Sequence, residues 1–200
     1  ASMIGMLPAS TLASRWFGGP VSVYADPDPS RPHLEPFFSP SHTDAEWRAA
    51  EPVVAAKLAE LADLPDAGPW RLVVVGRLTP NKNQQAAVRA LALVVEAGLD
   101  ATLVVLGDGP ERARLEALAS DLGVADRVAF RGMVDLREVT DTFASSHIQL
   151  LTSKQEGFGK VLLEGMVQGV VPLLSHSPAS GEISGQGSRG VVVDPERPEA

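Results

Sequence analysis

The 200-residue sequence contains no cysteine, which excludes disulfides, thiolate metal sites and thiol catalysis. Only 17 lysines and arginines oppose 25 acidic residues, so the formal net charge is -8 and there is no general basic surface for nucleic acid. No apolar run reaches the roughly 18 residues of a membrane span, and no signal peptide is apparent. We therefore expect a cytoplasmic protein, or one peripheral at a membrane, in which an anionic ligand would need a local cluster of cations.

Residues 1–45 differ from the rest of the chain. A short helix is expected over 9–17 and a short strand over 21–24, followed by a proline-rich stretch that extends to Pro40. This density of proline predicts an extended linker without regular structure. The chain begins without an initiator methionine and ends among charged and proline residues, which indicates a fragment of a longer enzyme.

A helix is predicted over 43–64, and after Trp70 short valine-rich runs alternate with amphipathic helical patterns. The predicted strands are 72–75, 103–106, 128–130, 148–151, 170–174 and 191–193, and the helices between most of them are 84–97, 111–122, 136–144 and 161–168. Alternating helices and doubly buried strands predict an α/β fold with a doubly wound parallel sheet. Ligands of such sheets bind beyond the carboxyl ends of the strands.

The segment from Glu156 to Glu164 is the most informative one. Its glycines, Gly157 and Gly159, let a ligand approach the main chain, and a helix start can hold anionic oxygens. If the whole segment were helical, the two carboxylates would lie roughly 12 Å apart along the axis. That spacing suits a nucleotide-sugar, which has hydroxyls at both ends and a diphosphate between. The apolar neighbours of Glu164 predict a largely buried helix, in which a glutamate needs a partner.

Cations follow the first core strand. Arg77 and Lys82 stand in a proline-stiffened loop at its carboxyl end, where an arginine fork and a lysine charge suit a diphosphate. A solvated surface turn is the alternative. Lys160 adds a cation beside the glycine turn, where it either reinforces diphosphate binding or points into solvent. The backbone near Val134, after the third strand, is a candidate contact for a flat base.

Other motifs favour structural roles. Asp108 in the turn Gly107-Asp108-Gly109-Pro110 is expected to cap the next helix, with Pro110 in its first turn. His33, His42 and His147 are isolated, with no carboxylate or second histidine at metal-ligand spacing, so no metal site is predicted. His176 is expected to be a polar loop residue. No Gly-x-Ser-x-Gly elbow is present for serine catalysis.

Together these motifs, from Arg77 and Lys82 through 107–110 and 131–134 to 156–164, resemble the C-terminal, donor-binding domain of retaining GT-B glycosyltransferases of the group 1, GT4-like kind. The resemblance covers about residues 70–194 and implies a Rossmann-like half of a GT-B fold. Residues 1–45 would then be the remnant of an N-terminal domain and its linker, and 46–200 the nucleotide-sugar-binding domain. A hydroxyl acceptor, whether glycan, lipid or small molecule, would bind through the missing N-terminal domain. A GT-B enzyme reacts in the cleft between two domains, so the fragment alone should bind the donor weakly and transfer little.

The resemblance also implies roles for single residues. Arg77 and Lys82 would neutralise the donor diphosphate, and Glu156 would contact hydroxyls of the transferred sugar. Glu164 would accept hydrogen bonds from the ribose. The amides around 157–161 would hold sugar and phosphate oxygens; they belong to Gly157, Phe158, Gly159, Lys160 and Val161. No metal or other cofactor is expected, because these cations and the helix start replace a divalent ion.

The sequence departs from the family pattern at Asn83 and Gly165, where glycine and alanine respectively are common, and it lacks a double glycine within 175–181. Three alternatives remain open at this stage. They are a GT-B-like nucleotide-sugar epimerase or phosphorylase, a catalytically silent nucleotide-binding module, and a hydrolase that uses Glu156 and Glu164. The hydrolase is disfavoured because its carboxylates must oppose each other about 5 to 9.5 Å apart, which a shared helix does not supply.

Overall fold

The computed structural model describes residues 21–23, 34–36, 43–66, 68–156, 159–176, 180–184, 187–188 and 190–193. The chain divides into two compact units, 1–41 and 42–200. The helix expected over 9–17 lies outside the described residues. The assignment of residues 1–45 to the end of another domain stays a prediction.

The first unit contains two short parallel strands, β1 (Val21–Val23) and β2 (Leu34–Pro36). The strand expected after residue 20 is therefore present. The expectation that the proline-rich stretch has no regular structure is wrong at β2. Pro36 is tolerated because it ends an edge strand, where its missing N–H removes no bond from the interior of a ladder.

The second unit alternates helices and strands. In chain order its elements are α1 (Asp44–Asp63), β3 (Trp70–Val75), α2 (Gln84–Glu96), β4 (Ala101–Leu106), α3 (Arg112–Asp121), a 3-10 turn (Ala125–Arg127), β5 (Val128–Gly132), α4 (Leu136–Ser145), β6 (Ile148–Leu151), α5 (Lys160–Val167), β7 (Val171–Ser175), α6 (Ser180–Ser184) and β8 (Val191–Val193). The core strands and α1 to α5 begin and end within two residues of the positions predicted from the sequence. The short α6 and the 3-10 turn were not predicted.

The six strands β3 to β8 form one parallel sheet in the order β5-β4-β3-β6-β7-β8. This is the doubly wound α/β arrangement that the strand and helix alternation predicts. The order reverses between β3 and β6, which are neighbours in the sheet although α2, β4, α3, β5 and α4 separate them in the chain. The carboxyl ends of these two strands therefore face a topological switch point, where open α/β sheets bind their ligands.

Side chains of β3 pack on both faces of the sheet. Leu72 and Val74 belong to the core cluster that includes Leu91 of α2 and Leu115 of α3. Val73 belongs to a second cluster, with Phe143 of α4. The near-continuous apolar sequence of β3 thus reflects burial between two helix layers.

A buried lysine attaches α1 to the second layer. Lys57 is 3% exposed, and its Nζ donates to the carbonyl oxygens of Phe143 and Gln168 at 2.8 and 2.7 Å. Phe143 lies in the last turn of α4, and Gln168 directly follows α5. Backbone carbonyls at helix ends lack the usual intrahelical donors. Phe143 O accepts the N–H of Ser146 at 3.1 Å as well as Lys57, so the lysine adds a second donor there and binds the end of α5 at Gln168.

His147 is not isolated, contrary to the expectation from sequence. Its Nε2 lies 3.4 Å from Glu60 Oε1, and its Nδ1 accepts the backbone N–H of Arg71 at 3.2 Å. Burial and the Arg71 guanidinium lower the pKa of His147, which favours the neutral ring. This contact lies at the amino end of the sheet, and no three His, Asp or Glu side chains of the described ranges are placed to hold a metal ion.

Replacement of Lys57 by Met should lower the free energy of unfolding by about 1–3 kcal/mol, because two backbone carbonyls lose their hydrogen bond to the ammonium group. Burial and the nearby Arg71 charge lower the pKa of Lys57 from 10.5 to about 8, against the opposing effect of Glu60. Between these values the unfolded chain binds more protons than the folded one. The stability of the wild type relative to Lys57→Met should therefore rise with pH across this window.

Urea unfolding of both proteins at pH 7.5 to 10.5 measures this difference, with the exposed Lys154→Met as the matched control. A neutral amine retains two N–H donors for the two carbonyls. If the difference in the free energy of unfolding between wild type and Lys57→Met does not change with pH over this range, the lowered pKa of Lys57 is wrong.

Candidate functional site

The site lies where two loops leave the switch point between β3 and β6. Residues 76–83 follow β3, and residues 152–159 follow β6. The backbone N–H of Lys154 donates to Asn81 O at 2.8 Å, and Asn81 Nδ2 donates to Gln155 O at 3.0 Å. Thr152 Oγ1 donates to Lys82 O at 3.0 Å. The fold brings these loops together although about seventy residues separate them along the chain.

Lys82 and Glu156 meet across this crevice. Lys82 Nζ lies 2.6 Å from Glu156 Oε2, and the side chains are 32% and 16% exposed. Ser153 Oγ donates to the same carboxylate oxygen at 3.1 Å. Ser153 is itself 2% exposed, and its carbonyl accepts Ser175 Oγ at 2.6 Å. A cation and an anion that the sequence suggested for one ligand are thus adjacent and largely withdrawn from solvent.

Arg77 and Glu164 are placed differently. Arg77 is exposed in the loop after β3, while Glu164 is half-buried on α5. Within the described ranges neither side chain makes a hydrogen bond or ion pair. The expected partner of a buried Glu164 is therefore absent from those residues, and both charged groups keep their hydrogen-bonding capacity for a ligand.

The segment 156–164 is not helical throughout, so the 12 Å separation expected for its two carboxylates does not apply. Helix α5 begins only at Lys160, and Glu156 precedes it in the loop. Gly159 takes the N-cap position at φ 65° and ψ 50°, a left-handed conformation that favours glycine. No side chain caps this helix, and Gly157 and Phe158 lie outside the described residues. Lys160 is exposed and Val161 half-buried in the first turn.

The turn 107–110 has the structural role that the sequence predicts. The N–H of Gly76 donates to Leu106 O at 2.9 Å, and that of Leu78 donates to Asp108 O at 3.0 Å. A Cβ on Gly107 would lie 2.1 Å from Gly76 O, so only glycine fits. The predicted capping role of Asp108 and the predicted place of Pro110 in the first helical turn are both wrong, because α3 starts at Arg112 with Glu111 as its N-cap. Asp108 Oδ1 instead accepts the N–H of Gly109 at 2.7 Å.

Val134 is half-buried in the connection between β5 and α4. Its neighbour Met133 is 79% exposed, and Leu136, the first residue of α4, is 72% exposed. Asp135 caps α4 by accepting the N–H of Glu138 at 2.8 Å. The connection thus presents backbone and apolar side chains at the carboxyl end of β5, the same edge of the sheet as the crevice.

A polar pocket of about 150 Å³ flanks the loop after β3. Its lining comprises Thr79, Pro80, Asn83, Gln84, Gln85, Glu111, Arg114, Leu115 and Lys154. None of the charged candidates Arg77, Lys82, Glu156 and Glu164 lines it, so this pocket is not the predicted site.

Sequence reasoning missed three residues that shape the site. Ser153 contacts Glu156, Asn81 joins the two loops, and Gln149 of β6 contacts α5. The only available signal was their position at or near a predicted strand end, which many surface residues share. The partner of Asn81 is 74 residues away and that of Gln149 lies on the next helix, while Ser153 and Glu156 are three residues apart in an irregular loop. Spacing along the chain does not reveal such contacts.

The family model and the similar proteins found by comparison agree on one family. The family model described as "Glycosyl transferases group 1" matches residues 62–200. A 2-deoxystreptamine glucosyltransferase from Streptomyces kanamyceticus is 32% identical over 130 residues, which cover 65% of this chain and 34% of that protein. A GDP-mannose-dependent alpha-(1-6)-phosphatidylinositol monomannoside mannosyltransferase from Mycolicibacterium smegmatis is 30% identical over 193 residues, or 92% of this chain and 48% of the relative.

A solved structure shares the fold. HepE from Anabaena, crystallised with UDP and glucose, superposes with a TM-score of 0.67 at 18% identity, over 94% of this chain and 53% of that one. The chain spans a third to a half of the length of the two curated relatives. Among the helices of the described ranges, none is both long and apolar enough to cross a membrane.

The conformation of Asn83 generates a prediction for the loop that carries Arg77 and Lys82. Asn83 is the N-cap of α2 at φ 51° and ψ 37°, a left-handed conformation that glycine also adopts readily. Asn83→Gly should therefore change the free energy of unfolding by less than about 1 kcal/mol. Asn83→Val should cost more than about 2 kcal/mol, because a β-branched residue resists left-handed backbone.

Chemical unfolding of both variants measures the difference between their free energies of unfolding. The exposed Asp121→Val in α3 is the control for helix propensity. Equal stability of Asn83→Gly and Asn83→Val would show that the left-handed conformation is not required.

Proposed function

The chain belongs to the group 1 glycosyltransferases, and we propose that it forms the donor-binding part of an enzyme that transfers a sugar from a nucleoside diphosphate to a hydroxyl acceptor with retention of configuration. The observation that carries this proposal is the Lys82–Glu156 contact at the switch point, with Arg77 in the same loop as Lys82. The name of the similar GDP-mannose-dependent mannosyltransferase supports a nucleotide-sugar donor.

The cations act on the diphosphate. Arg77 offers a planar fork of donors and Lys82 a point charge, and both stabilise the negative charge that builds on the leaving nucleotide. Since the protein as a whole is acidic, these two side chains provide local attraction that the net charge of -8 does not. In this proposal the cations and the start of α5 take the place of a divalent metal ion.

Glu156 acts on the sugar. Before the donor binds, one of its carboxylate oxygens is engaged by Lys82 Nζ and Ser153 Oγ. When phosphate oxygens accept Lys82, this carboxylate oxygen becomes available to a sugar hydroxyl. The exchange replaces one charge-assisted hydrogen bond with two, and partial burial strengthens each of them.

The remaining contacts lie along α5 and β5. The backbone amides around 157–161 hold sugar and phosphate oxygens, since the helix start lacks a side-chain cap. Glu164 follows Lys160 by about one helical turn, roughly 6 Å along the axis, and accepts hydrogen bonds from the ribose hydroxyls. The backbone near Val134 contacts the base. The acceptor binds through parts of the enzyme outside this chain.

Single replacement of Arg77, Lys82 or Glu164 by Ala should weaken nucleoside diphosphate binding about 10- to 100-fold, because each removes a charged hydrogen bond worth about 1.5–3 kcal/mol. Calorimetric titration of UDP and GDP measures the effect. The matched controls are Arg89→Ala and Glu96→Ala, both exposed on α2. A chelator such as EDTA should leave the affinity of the wild type unchanged.

If UDP and GDP bind all three variants as tightly as the wild type, the site assignment is wrong. If a chelator abolishes the binding, the proposed metal independence is wrong while the site can still hold.

Glu156→Gln should lower turnover by about 100-fold or more, because a preorganised contact to the reacting sugar loses its charge. The affinity for nucleoside diphosphate without sugar should stay equal or increase, since Lys82 no longer has an anionic competitor. Turnover is measured in the enzyme that carries this chain, and the anomeric configuration of its product by NMR. Loss of nucleotide affinity with unchanged turnover would assign Glu156 to the diphosphate instead.

A further inference from the structure

The core strand β6 carries a buried polar side chain at a position where the neighbouring strands offer only apolar residues. Gln149 is the second residue of β6 and is 1% exposed. It pairs in register with Val73 of β3 on one side and with Pro172 of β7 on the other. All its immediate surroundings in the sheet are apolar, so an aliphatic residue would fill this position without any cost for burying an amide.

The amide of Gln149 reaches α5 and not the sheet. Its Nε2 donates to Val161 O at 3.0 Å, while its Oε1 has no hydrogen-bond partner among the described residues. A Cβ on Gly165 would lie 2.2 Å from that oxygen and 3.1 Å from Cδ. Val161 and Gly165 are four residues apart and therefore share one face of the helix. One side chain thus contacts two successive turns of α5.

These contacts explain why glycine stands at position 165. The helix lies so close to the Gln149 amide that a methyl group at position 165 would overlap the oxygen. Glycine also weakens a helix interior, and the unpaired oxygen adds a further cost. Two unfavourable features thus accompany the close approach of α5 to β6. They are a glycine in a helix interior and an amide oxygen without a partner among the described residues.

We propose that Gln149 is a positioning residue that, together with Gly165, sets the depth and rotation of α5 and hence the placement of the donor contacts on it. The proposal rests on the proposed function, because Glu164 and the amides of the first turn are the groups it positions. Glu164 directly precedes Gly165, and Lys160 directly precedes Val161. A shift of the helix away from β6 at either contact moves a donor-binding group with it.

The test is a double-mutant cycle of Gly165→Ala, Gln149→Ala and the double variant, in the full 200-residue chain. Stability is measured by urea unfolding, and affinity by calorimetric titration of UDP and GDP into the folded protein. Gly165→Ala should weaken nucleotide binding by about ten-fold or more, since angstrom-scale misplacement of binding groups is costly. The double variant should bind within about three-fold of Gln149→Ala, because the methyl group then enters space that the amide has left.

Two further variants separate positioning from packing. Gln149→Met keeps the length of the side chain but has no N–H donor, so it should retain stability and yet lose nucleotide affinity by several-fold. Gly123→Ala is the glycine control. Gly123 has φ 70° in the turn after α3 and no atom close to an added Cβ, so alanine should lower stability through backbone strain alone and leave affinity unchanged.

The outcomes distinguish this inference from the proposed function. If the wild type binds UDP or GDP and Gly165→Ala binds it equally well, the positioning role is wrong while the function stands. Additive losses of affinity in the double variant would likewise overturn it, because two residues in direct contact must couple. If the wild type binds neither nucleotide, the proposed function fails and the positioning role fails with it.

Discussion

The reversal of strand order between β3 and β6 is the constraint on which the site depends. Strands that are neighbours in the sheet send their following helices to opposite faces at this point, so the two loops diverge and leave a crevice between them. Lys82 on one loop and Glu156 on the other can meet at 2.6 Å only because β3 and β6 are paired. The other candidate contacts, Arg77, Val134 and Glu164, lie on elements attached to the same edge or its flanking helix.

Helix α5 makes polar contacts with other elements near both of its ends. Gln149 donates a hydrogen bond to a carbonyl in the first turn of α5 and lies close to Gly165. Lys57 donates a hydrogen bond to the carbonyl of Gln168, just beyond the end of the same helix. The apolar contacts of α5 alone would permit small rotations, since side chains such as Leu162 and Val167 can repack in a core. Hydrogen bonds are directional and thus restrict those rotations.

Much of the fold was predictable from the sequence because β3, β4 and β6 are continuous apolar runs and the helices between them have clear ends. The candidate pair Lys82 and Glu156 was predictable for a similar reason, since both follow predicted strands. The start of α5 was predicted to within a residue, and the predicted helix 161–168 leaves Glu156 outside it as the structure does. The left-handed glycine at 159 decides that boundary, and glycine in a sequence signals several different turns.

Contacts between distant residues were not predictable. Gln149 looks like an outlier in an apolar strand, and Gly165 looks like a weak position in a helix. Each has a physical reason only in the presence of the other, because the amide oxygen occupies the volume that a Cβ would need. The same holds for Lys57 and for His147 with Glu60, whose partners belong to other elements. Residues that break a local rule in this chain do so where a tertiary contact sets the geometry, and in the case of α5 that geometry is the one on which the proposed donor contacts depend.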